Sequence, residues 1–130
     1  MRNEIFEKLL EWQKEYGFYK DEARIFYGIK PNNVELEDWD YIVFGSLNWK
    51  KSGTNKLDLN RYYFVNIICE NFIDDDLILS LIKKMLEIKG LSLDDDSFQV
   101  EYLIKGNTDI TCEAMSIAFT KPLKGILCQE

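Results

Sequence analysis

Residues 40–70 read DYIVFGSLNW (40–49), KKSGTNKLDLN (50–60) and RYYFVNIICE (61–70), and this stretch decides the fold. Its outer parts are rich in aromatic and β-branched residues, which suit a pleated surface. In the third part Tyr63, Val65, Ile67 and Cys69 fall on one face. Tyr62, Phe64 and Ile68 fall on the other, with Asn66 and Glu70, because successive strand side chains alternate. The expectation is a long hairpin, two strands joined by the polar segment 50–60. A returning strand apolar on both faces calls for cover on both, from helices on one and another subunit on the other.

Helices are expected on either side of this hairpin. Over residues 2–16, Ile5, Leu9, Trp12 and Tyr16 keep the helical period, Phe6 and Leu10 widen the stripe, and Gly17 supplies a stop. Residues 18–39 are less regular: ARIFYGI fits a short strand, Pro31-Asn32-Asn33 a turn, and Glu35–Asp40 a loop or edge element. Asp74, Asp75 and Asp76 open a second helix, 75–89, where carboxylates cap free N–H groups and suit the positive end of the helix dipole. Ile78, Leu81, Ile82 and Met85 form its buried stripe and Gly90 its stop. A second hairpin follows. Phe98, Val100, Tyr102 and Ile104 alternate, Gly106–Asp109 is turn chemistry, and Met115, Ile117 and Phe119 oppose the small Cys112, Ala114, Ser116 and Ala118. Pro122 is expected to end the strand, with a loosely ordered tail within 119–130. The pattern is an α+β single domain, 1–130, in helix–hairpin–helix–hairpin order. Its sheet is mainly antiparallel and four-stranded, with helices on one face and the other free for association.

The bulk numbers fit an ordinary soluble globule: 46% hydrophobic, 30% charged and 14% aromatic residues. A formal charge of −7 argues against general nucleic-acid binding, which draws on a basic footprint. Three cysteines, Cys69, Cys112 and Cys128, stand far apart with no CxxC pair, so they suggest a reducing compartment rather than a zinc site or a disulfide framework. The charged, amphipathic start gives no signal peptide, and no apolar run matches the ~20 residues that cross a bilayer. Without histidine, the usual Ser-His-Asp and Cys-His arrangements and His-ligated metals are ruled out.

The remaining chemistry is thin. The aspartate triplets 74–76 and 94–96 lack the spacing of an EF-hand loop and read as a helix start and a solvated turn. Glu101 and Glu113, on adjacent strands, invite an acid/base pair but also suit the wet side of a sheet. Neither GxGxxG nor GK[ST] occurs, so no phosphate cradle is expected. No catalytic, cofactor or metal site is assigned. Trp39 and Trp49 bracket the first strand of the 40–70 hairpin, and tryptophan there either covers the core edge or marks a contact. Lys50, Lys51 and Lys56 make the hairpin tip basic. They fit a solvated loop tip, and equally a contact arm whose acidic partner is another copy of the chain. The candidate partner contacts are therefore Trp49, Lys50, Lys51, Lys56, Tyr62 and Phe64.

Taken in order, DYIVFG, a polar loop with SGT, RYYFVNI, FIDDD opening a helix, and KGNTDITCEAMSIAFTKP form a recognisable series. Over residues 40–122, and more weakly in the first helix, the chain resembles the tail terminator (tail completion) proteins of tailed phages and of prophages in low-GC Gram-positive bacteria. The resemblance implies a small sheet flanked by helices, assembled as a homo-oligomeric ring, commonly a hexamer. Such a ring sits on the head-proximal end of the tail tube, stops polymerisation and presents a surface to the head-side connector. It implies a virion protein, present in the host cytoplasm during assembly, with no catalytic residue and no cofactor. Its partners are itself, the tail tube protein and the connector, with no nucleic acid and no membrane. Other readings are a stopper or adaptor of the same connector, a small monomeric peptide- or ligand-binding domain using its sheet edge, and a weak carboxylate hydrolase.

Overall fold

The computed structural model describes residues 2–18, 24–31, 38–51, 58–70, 72–94 and 98–124. Helix α1 spans Arg2–Tyr16 and buries Ile5, Leu9 and Trp12. Its end is a Schellman turn: Gly17 takes a φ of 87°, and the Phe18 N–H donates back to the Gln13 carbonyl at 2.9 Å. The Phe18 ring then rests 5.2 Å from Trp12, the apolar contact that accompanies this cap.

Among the described residues the sheet contains six strands. Strand β1 (Ile25–Tyr27) lies parallel to β2 (Tyr41–Lys51), and β2 pairs antiparallel with β3 (Asp58–Glu70). Beyond β3 runs the long β6 (Thr111–Lys124), whose far edge carries β4 (Ser92–Leu93) at one end and β5 (Gln99–Ile104) along the other. The expected four-stranded sheet is thus corrected to a mixed one, widened by the short β1 and β4. β1 falls within ARIFYGI, where the sequence fits a short strand, whereas the two residues of β4 leave too little periodicity for a pattern to declare one.

Helix α2 spans Asp75–Met85 and buries Leu77, Leu81 and Met85. It stops four residues short of the expected 89, because Glu87 and Ile88 donate to carbonyls three residues back and the chain tightens out of the α pattern. Asp74 occupies the N-cap position but its side chain makes no cap bond. The acidic start therefore acts through the dipole and not through capping. Between helices and sheet lies one core, with Ile42, Phe44, Val65, Ile67, Ile117 and Phe119 from the strands facing Leu9, Trp12, Leu81 and Met85.

The first hairpin differs from expectation in length. Lys50 and Lys51 pair with Asn60 and Leu59, so both arms run on and the joining segment shrinks to residues 52–57. Polar residues hold strand geometry here because β3 is also paired to β6 as far as Asp58 opposite Lys124. Pro122 does not end the last strand; it pairs with Asn60. It lies past the end of β4, where no strand among the described residues pairs that side of β6 and a missing N–H is tolerated. Residues 125–130 of the expected tail lie outside the described residues.

Candidate interaction site

Strand β5 holds the main exposed apolar surface. By register Val100, Tyr102 and Ile104 stand beside Met115, Glu113 and Thr111, on the face that carries the helices. They should be core, yet they remain 44%, 68% and 67% exposed. Phe72 is exposed as well, next to Ile73, whose N–H donates to Glu113 Oε1. Leu79 of α2 and Leu86, its C-cap residue, add to the exposed apolar set. No strand among the described residues pairs the far side of β5. A bare edge with uncovered apolar side chains is a template for another chain.

The face opposite the helices divides in two. At one end Val43, Ile68 and Cys112 are buried. Lys105 reaches across β6 to Glu70, 2.5 Å away on β3, and so roofs Cys112, which pairs with Glu70 in the ladder. Tyr41 closes the same end, with Phe26 edge-on at 6.1 Å and the Lys30 ammonium 5.9 Å from its ring. The other end is an open trough of about 340 Å³ between Leu47, Phe64 and Gln99, floored by Ser116 and Ala118. Only part of this face is therefore free, which corrects the expectation that all of it is available.

The closed end has a pH signature. A hydrogen bond from Lys105, then one from the Trp39 N–H, holds the Glu70 carboxyl below its ordinary value. With the folded pKa depressed, the stability this carboxylate contributes is complete above its unfolded pKa, about 4.3, and disappears as pH falls through the folded value. Glu70→Gln is expected to lower the melting temperature at pH 7 and to flatten its decline in acid. An acid limb identical to that of the parent protein would contradict the assignment.

The expected contact residues do not form one surface. Lys50, Tyr62 and Phe64 share the open face, with the Lys50 ammonium 4.9 Å from the Tyr62 ring. Phe64 lies over Gly45, where an added Cβ would meet its ring at 2.9 Å. Trp49 pairs with Arg61 and stands on the opposite, helix-side face. The switch follows from a bulge between Ser46 and Trp49, where Leu47 and Asn48 oppose the single Tyr62. Lys51 is a strand residue and not part of a loop tip, and Lys56 lies outside the described residues.

Glu101 pairs with Ala114 and Glu113 with Tyr102. Those positions are one step apart, so the two carboxylates point to opposite faces and make no acid/base pair. Among the described residues no group of three or more acidic or cysteine side chains is arranged to hold a metal. Burial pushes the Cys69 thiol up to about 12 and raises that of Cys112, which leaves both as thiols and not as nucleophiles. Sequence reasoning missed Val100, Tyr102 and Ile104 as surface residues because their strict alternation is also the signature of a core strand.

No family model matches the chain, and no curated protein matches it. No helix among the described residues is long and apolar enough to cross a membrane.

Proposed function

We propose that this protein is a structural assembly subunit, a tail terminator that caps the head-proximal end of a phage or prophage tail tube as a homo-oligomeric ring. The observation that carries this reading is the apolar β5 edge, whose helix-side residues stay exposed although their register makes them core. A second copy is its occupant. A head-to-tail contact pairs unlike surfaces and closes by rotation. We assign the two surfaces as the β5 edge of one copy and the open trough at Leu47, Phe64 and Ser116 on the next. The trough's small floor residues admit side chains of the size that β5 offers. The resemblance over residues 40–122 supplies the setting: a tube below, whose growth the ring stops sterically, and a head-side connector above.

Capping repeated around a ring needs only weak individual contacts, because each engaged subunit raises the effective concentration of the next. The test is electron microscopy of tails assembled without this protein. Tails of unregulated length, restored to uniform length by the parent protein, are the expected result. Uniform tails that merely fail to join heads would instead indicate a stopper or adaptor.

A further inference from the structure

Beneath the first turn of α1 lies a cavity of about 230 Å³ lined by Arg2, Tyr27, Phe44, Ser46, Arg61 and Tyr63. Two guanidinium groups meet there in a chain of net charge −7. Each is braced by aromatic faces. Arg2 sits 3.8 Å from the Tyr27 ring centre, and Arg61 lies 4.5 Å from Trp49 and 5.3 Å from Tyr63. Stacking of this kind restrains the guanidinium. Arg61 Nη2 donates to Ser46 Oγ at 2.9 Å, but the buried Nε has no hydrogen-bond acceptor. Among the described residues neither arginine forms an ion pair.

We propose that this cavity is a carboxylate-binding site. The guanidinium groups of Arg61 and Arg2, which both line the cavity, take the carboxylate oxygens, in the forked geometry that suits arginine. The rings of Tyr27, Phe44 and Tyr63 hold the apolar or aromatic group that carries them. The carboxylate is either that of a free small molecule or an acidic side chain of another copy. The site stands independently of the ring, since its test reads Arg61 itself and not the mass of the assembly.

The test follows, by proton–nitrogen correlation spectroscopy while benzoate is added to the full chain, the Arg61 Nε–H signal of the parent protein and, in the parent and the variants alike, the backbone N–H signals of the cavity residues Ser46 and Tyr63. A saturable shift is expected in the parent protein, with affinity about tenfold weaker in Arg61→Gln and again in Arg2→Gln, since each removes a charge-assisted hydrogen bond. Arg2 is exposed, so its variant keeps the fold. A signal that shifts as protein concentration rises, and that benzoate returns, assigns the carboxylate to a neighbouring copy. One that responds to benzoate alone assigns it to a free molecule. No response to either, or benzoate binding that survives both substitutions, overturns the site.

Discussion

Replacing Tyr102 and Ile104 together by lysine is expected to leave the protein folded and to weaken its self-association by at least about 100-fold. Both side chains are more than half exposed, so the monomer loses little packing. In the proposed contact each buries an apolar surface worth about 1.5–3 kcal/mol, and every ~1.4 kcal/mol is a tenfold change in affinity. Lysine on an edge strand is also a barrier to association, and its charge would have to be desolvated against the apolar side of the trough. The measurement is the concentration dependence of mass by light scattering, with circular dichroism to establish the fold. Unchanged association in the double variant removes β5 from the contact.

Trp12→Ala is expected to destabilise the fold by about 3–5 kcal/mol, a large part of the 5–15 kcal/mol typical of a domain this size. Trp12 is 2% exposed and stacks on Tyr16 at 5.3 Å and against Phe18 at 5.2 Å. Its indole N–H donates to Ser80 Oγ at 2.8 Å, which ties α1 to α2. Deletion leaves a cavity and breaks that tie, so both helices loosen on the sheet. Urea denaturation of the two proteins checks the value. A difference below about 1 kcal/mol would mean that the helices dock by other contacts.

Where one pattern dominated, the sequence was a sufficient guide. The stripe Ile5, Leu9, Trp12 with Gly17 behind it marks α1, and the alternation from Tyr63 to Cys69 marks β3 and the face it buries. Signals that local pattern does not carry were lost. The extension of β2 through Lys50 and Lys51 is enforced by a neighbour that is itself paired to β6, a tertiary effect on residues of low strand preference. The bulge at Leu47 and Asn48 reverses the face of Trp49, and a single inserted residue leaves no mark in the composition.

The exposed β5 face is a lesson in width. Neighbouring strands stand about 4.8 Å apart and a helix is about 10 Å across, so one helix covers roughly two strands. This sheet is five strands wide along β1-β2-β3-β6 and the shared β4/β5 position, but carries α1 and α2 alone among the described residues. One strand's width must stay bare. Alternation in Val100, Tyr102 and Ile104 shows only that the strand has an apolar side; counting layers shows that nothing in the described chain is left to cover it.

The central claim is that a second copy supplies the cover. Sedimentation velocity of the parent protein over a wide concentration range, alone and with tail tubes added, tests it most directly. The account predicts a closed oligomer of several copies, free or on the tube end, which the Tyr102→Lys and Ile104→Lys double variant fails to form. A monodisperse monomer at every concentration, with and without tubes, would contradict it.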